Sequence, residues 1–238
     1  MTRNQPSRWR TGFTLVELLV VVSIIAVLST LGLLAVRSMR DQSHIVACAS
    51  HLRQIGLAMQ IFADDHQGTY PDTSHTTSAD KAWIYQLEEY LGDFEQTRIC
   101  PADPNAKQRL KNKSSSYLLN SLVFVPPLDA FGAPAGPARN KPSRLPDPSA
   151  TILVFIAADR AALHPGDDHT HSDLWKSWAA VLRDIAPDRH QRRSSSNSSR
   201  GSANYLYADG RVQSIPAHEI KTKIEKGLNI AAIPGVDR

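Results

Sequence analysis

The densest set of potential ligands in the chain is His164-Pro165-Gly166-Asp167-Asp168-His169-Thr170-His171-Ser172-Asp173. In an extended segment alternate side chains share a side, so His169 and His171 could grip zinc or a similar ion, with Asp167 or Asp168 completing the set. Loop clusters of this composition are more often solvated polar segments, so neither a resident metal nor a cofactor is expected. The two cysteines, Cys48 and Cys100, have no CxxC or Cys/His finger spacing, which speaks against a structural zinc site. In an oxidising compartment they could pair with each other; otherwise Cys48 is a buried thiol. Arg189 to Arg200 carries His190, Arg192, Arg193 and Arg200 among serines and could touch phosphates. No aromatics interleave to stack on bases, so a solvated loop is expected and nucleic acid is not expected as a partner. Serine, histidine and aspartate are present without a nucleophile elbow, a phosphate loop or paired carboxylates, so no enzyme activity is expected.

One carboxylate is out of place. Glu17 sits one turn into an apolar segment, just before an uncharged run from Leu18 to Val36. Those 19 residues would span roughly 28 Å as a helix, close to the hydrocarbon thickness of a bilayer. Arg3, Arg8 and Arg10 precede the run, and Arg37 and Arg40 follow it. The net charge of +4 is therefore unevenly placed: without the first three arginines, 24 basic residues face 23 acidic ones, a balance of +1. That arrangement favours a cytoplasmic N-terminus, and it makes the basic pI weak evidence for a nucleic-acid partner. A cleaved secretory signal would have a shorter core and then unrelated sequence. An ordinary anchor explains the length but gains nothing from Glu17.

Gly12-Phe13-Thr14-Leu15-Val16-Glu17-Leu18-Leu19-Val20-Val21 resembles the class III signal of type IV pilins and type II secretion pseudopilins. The resemblance implies cleavage by a prepilin peptidase between Gly12 and Phe13, N-methylation of Phe13, and an assembly role for Glu17. It implies partners as well: copies of the chain or other pseudopilins in a helical filament, the secretion or pilus platform, and inner-membrane lipid. Many members carry a proline where this chain has Leu34, so a straighter helix is expected here.

Beyond Arg37 the helical period persists on one side only, through Val46, Ala49, Leu52, Ile55, Gly56, Met59 and Phe62. One long helix is predicted from about Thr14 to about Ala63, ended by Asp64-Asp65-His66-Gln67-Gly68 and Pro71. Cys48 to Ala58, Tyr70-Pro71, Cys100-Pro101-Ala102-Asp103 and Asp209-Gly210 also resemble marks of a pseudopilin-like family abundant in planctomycetes. That family has about nine residues between a histidine and its DG pair; here 18 residues, 191–208, separate His190 from Asp209.

In the remainder, Asp80–Leu91 and Ser172–Ile185 read as amphipathic helices, the second capped by Ser172. Tyr117–Val125 and Thr151–Ala157 read as strands, separated by a proline-rich connection from Pro126 to Pro148. Ala203–Ala208 and Arg211–Ile215 flank Asp209-Gly210, a hairpin in which both turn residues are expected at positive φ. The expected fold is α+β and pilin-like, a long N-terminal helix on a small antiparallel sheet. Residues 1–12 form a cleaved cytoplasmic leader, 13–36 a transmembrane and assembly helix, 37–66 its amphipathic continuation, and 67–238 a periplasmic globular head. The expected function is a structural subunit of a type II secretion pseudopilus or type IV pilus-like filament. The alternative is a membrane-anchored binding module for carbohydrate, metal or DNA.

Overall fold

The computed structural model describes residues 13–74, 82–129, 131–190 and 199–236, with the main chain alone at 31–38. The architecture is α+β, one long N-terminal helix with a small four-stranded antiparallel sheet. Helix α1 runs unbroken from Leu15 to Asp65, through both Gly32 and Leu34. The chain divides into two compact units, Met1–Arg40 and Asp41–Arg238.

In the first unit, Phe13 to Leu28 expose large apolar side chains on every side of the helix, from 43% at Val21 to 79% at Leu15. Such a surface needs lipid or neighbouring helices to cover it. Leu15–Thr30 is the apolar part with described side chains, and the sequence continues it without charge to Val36. Met39–Asp65 is also long and apolar enough to cross a membrane, with 33% of its apolar window buried. Arg53, Gln60 and Asp64, exposed on the side away from the buried stripe, mark the part from Asp41 onward as a core helix of the second unit.

Within that second unit, Cys48, Leu52, Ile55, Met59, Phe62 and Ala63 are buried at three- and four-residue steps. The buried stripe passes through Cys48, and Val46, expected inward, is 64% exposed. Each buried Leu, Ile or Met contributes about 1.5–3 kcal/mol. Gly56 permits close packing on the sheet, because a Cβ there would lie 2.8 Å from Leu206 Cδ1.

The strands are β1 (Tyr117–Leu119), β2 (Ile152–Ile156), β3 (Ser202–Tyr207) and β4 (Val212–Pro216), paired in that order. Tyr117 faces Ile156, Val154 faces Leu206 with a register shift near Ile152, and Tyr205 faces Gln213. Buried along nearly their whole length, β2 and β3 are covered on both faces. On one face Leu206 meets α1, and Asn204 Nδ2 donates to the Ile45 carbonyl at 2.9 Å. On the other, Phe155 packs edge-on against Tyr205 and Trp175.

Short helices fill the connections: α2 (Trp83–Gln86), α3 (Phe94–Thr97), α4 (Ala106–Lys111), α5 (Ser121–Phe124), α6 (Trp178–Asp184) and α7 (Ala217–Glu225). The expected strand 117–125 is cut short by Asn120. Its side chain accepts from Leu122 N to cap α5, and donates to the carbonyls of Ile152 and Ala231. The expected helix 80–91 reduces to α2 and a 3₁₀ turn at Glu88–Tyr90 in its described part, and 80–81 lie outside the described residues. The expected helix 172–185 begins at Trp178. Ser177 caps it, while the Ser172 hydroxyl is held by Ser121 at 2.7 Å. Leu174, expected inward, is 55% exposed.

The β3–β4 hairpin also differs from expectation. Tyr207 O accepts from Gly210 N, Tyr207 N donates to Arg211 O, and Gly210 alone takes positive φ (+83°). This is a three-residue loop, a type I turn closed by a glycine bulge. Asp209 needs no left-handed conformation; its carboxylate accepts from Arg211 N at 3.0 Å.

Candidate functional site

Thr14 and Glu17 form a reciprocal pair at the start of α1. The Glu17 carboxylate accepts from Thr14 N and Thr14 Oγ1, each at 2.8 Å, and Thr14 Oγ1 accepts from Glu17 N at 3.2 Å. This is a capping box, with Thr14 at the N-cap and Glu17 at the third helical position. It satisfies main-chain donors that an apolar surrounding could not. Phe13 stands beside it, 72% exposed, while Gly12 lies outside the described residues.

Residues 10–33 match the model of the prokaryotic N-terminal methylation motif. The chain therefore carries a prepilin-type signal, and its apolar helix fits membrane anchoring. The motif indicates the processing signal of type IV pilin-like proteins and pseudopilins. The match covers a short N-terminal part of the chain, and no curated protein and no solved structure matches it.

In the second unit, the His169 and His171 rings lie side by side, 5.5 Å between centroids, but each faces a different carboxylate, and the loop forms no convergent ligand set among the described residues. His169 Nδ1 lies 2.8 Å from Asp168 Oδ1, and Asp168 is already occupied by Ser74 N at 2.8 Å and Ser74 Oγ at 3.0 Å. Asp168 thus ties two loops together. His171 turns toward Asp184, its Nδ1 3.5 Å from the carboxylate, with the side chain 65% exposed. Asp167 is exposed.

A different set does converge. Among the described residues, the Cys48, Cys100 and His190 ligand atoms all lie within 4.8 Å of one another, and all three residues are buried. Cys48 comes from α1, Cys100 from the turn before α4, and His190 from the chain entering β3. The two cysteines stand side by side as thiols in this structure. Tyr117 Oη donates to Cys48 Sγ at 3.7 Å. Burial would raise the Cys48 thiol, but the hydrogen bond from Cys100 and then the nearby His190 outweigh it and hold Cys48 well below the ordinary value. Cys100, as the donor to Cys48, is pushed well above it.

His190 is fixed by its main chain. Its N–H donates to Ser202 O at 2.8 Å, and its carbonyl accepts from Ser202 N at 3.0 Å. That pairing is how a histidine far from Asp209-Gly210 in sequence still sits beside the start of β3. Residues 191–198, including Arg192 and Arg193 of the expected basic loop, lie outside the described residues. Arg189 is buried and paired with Asp159 at 2.7 Å. Gly201 makes the pairing possible: its φ is +102°, and a Cβ there would lie 2.6 Å from His190 O and 3.1 Å from Asp188 O. Gly201→Ala is expected to cost on the order of 3 kcal/mol, read as a lower thermal midpoint. A loss within the scatter of surface substitutions would refute the close-packed pairing.

Sequence reasoning missed His190 as a partner of the cysteines, because nothing in local spacing links positions so far apart. It also missed the meaning of Cys100-Pro101-Ala102-Asp103. Asp103 accepts from Arg109 Nε and Ser116 Oγ, both at 2.6 Å, and from Asn105 N at 2.9 Å. Arg109, fully buried, also donates to the carbonyls of Ser115, Ala158 and Ala161. Burial lowers the Arg109 pKa, and Asp103 pulls it back.

Proposed function

We propose that the protein is a structural subunit of a pilin-like filament, of the type II secretion pseudopilus or type IV pilus class. In this reading the prepilin peptidase cuts between Gly12 and Phe13 and Phe13 is N-methylated. Residues 13–36 hold the subunit in the inner membrane until assembly, and residues 67–238 form the periplasmic head. No catalytic step is assigned to the chain. The observation that carries the reading is the methylation motif at residues 10–33. It stands on a helix whose apolar side chains are exposed all round and whose fifth residue after the cut is a carboxylate. A helix of this kind can be satisfied by lipid and then, without losing apolar contact, by copies of itself.

The mature N-terminus tests this. Protein isolated from its native cell is expected to begin at methylated Phe13 by mass spectrometry, and to migrate with high-molecular-weight assemblies. A chain that still begins at Met1 and stays monomeric would exclude the reading. The second reading, a membrane-anchored binding module, is favoured by the buried thiol and imidazole cluster in the second unit. It would be preferred if the head keeps a specific ligand-dependent function when assembly is abolished.

A further inference from the structure

We propose that Cys48, Cys100 and His190 form a binding site for one divalent ion of the zinc class. The donor set is the first reason. Two thiolates and one imidazole suit a borderline-soft ion that accepts tetrahedral geometry, and they are poor ligands for calcium or magnesium. Two thiolates also cancel the charge of a divalent ion, so the loaded site would be neutral where a bare charge would be costly.

Geometry is the second reason. Zinc–sulfur bonds of about 2.3 Å and zinc–nitrogen bonds of about 2.0 Å place tetrahedral donors roughly 3.5–3.8 Å apart. The three donor atoms already lie within 4.8 Å of one another, so rotamer adjustments of about 1 Å would close the set around an ion.

Histidine decides between an ion and a disulfide. His190 is 1% exposed, and neither ring nitrogen has a hydrogen-bond partner at normal geometry. Buried imidazoles without partners are costly. A Cys48–Cys100 bridge would account for two of the three side chains and leave that ring unsatisfied; one ion accounts for all three. Tyr117, donating to the Cys48 sulfur, would orient a ligand in the way outer-shell groups orient metal-bound side chains. His190 also lines a cavity of about 330 Å³ with His44, Asp103 and Arg189. The ion would join α1 to the turn before α4 and to the base of β3, so binding would add directly to folding stability.

The test uses the full chain in detergent, isolated from its native cell with thiols trapped by alkylation in one aliquot and kept reduced in another. Zinc content by mass spectrometry is expected at one per chain in the reduced aliquot. Exchange into cobalt is expected to give a sulfur-to-metal charge-transfer band and tetrahedral d–d bands. Cys48→Ser, Cys100→Ser and His190→Gln are each expected to abolish that spectrum, and Tyr117→Phe to weaken zinc binding roughly 10–100-fold. The wild-type spectrum reads the site directly, whether or not a variant folds. Absence of the band in wild-type protein would overturn the proposal, as would its persistence in His190→Gln. A chain lighter by two hydrogens, with no alkylatable thiol and no zinc, would replace the proposal with a disulfide. None of these outcomes bears on cleavage at Gly12, so this proposal and the filament reading fail independently.

Discussion

Glu17→Gln is expected to insert, to be cut after Gly12, and to be absent from the filament fraction. Glu17→Ala is expected to behave in the same way, but the glutamine variant is the sharper experiment. The capping box gives Glu17 a purely local task, holding the Thr14 N–H, and glutamine at the third helical position performs that task too. What glutamine lacks is charge. In the proposed reading, cleavage would create an ammonium on Phe13, at the tip of an apolar helix, where an isolated charge is expensive. On the proposed filament reading, a carboxylate from an adjacent subunit would neutralise it, and the pair would be worth forming only where helices bundle and exclude water. In this account the carboxylate exchanges Thr14 for a neighbouring amine on assembly, and Glu17 selects the axial register between subunits. Quantifying each variant in sheared or cross-linked filaments, against its total membrane level, checks the expectation. Normal incorporation of Glu17→Gln would reduce the residue to a helix cap and remove its assembly role.

Asp103→Ala is expected to lower the stability of the head by about 3–5 kcal/mol, because it leaves a buried guanidinium without its counter-charge. For a domain of this size that is a fall in the thermal midpoint of roughly 6–20 °C. The Asp103 and Arg109 side chains are both fully shielded from solvent, and the pair is 2.6 Å apart. The remaining Arg109 donors fasten the 158–162 turn to α4. Removing both charges with Asp103→Ala and Arg109→Met should recover a substantial part of the loss, since the orphaned charge goes with them. Recovery of nothing would mean that the carbonyl contacts of Arg109 dominate. A single-variant loss below about 1 kcal/mol would show that the pair does not hold this corner of the fold.

The parts legible in the sequence are those governed by short-range pattern. An all-apolar run bracketed by arginines, a glycine–aromatic–glutamate signal and a one-sided continuation specify α1 and the membrane expectation within local windows. The same holds for β2, an unbroken apolar run, and for the Asp209-Gly210 hairpin. Even there, local reading went only so far: the turn closes with Gly210 alone at positive φ because the strands accommodate a bulge.

Where side chains had a choice of partner, three-dimensional contacts decided. Asn120 stops β1 because its amide is claimed by Ile152 and Ala231. Ser172 loses its capping role because Ser121 holds its hydroxyl. The histidine loop, rich in ligand types, spends its polar groups on Ser74 and Asp184. The converging set of Cys48, Cys100 and His190 is drawn from three distant stretches, and no local window contains it. Sequence determined the processing signal and the long helix, since both are encoded by adjacent residues. Which polar groups end up buried together was settled only by packing, because burial makes each one seek a partner wherever the chain brings one.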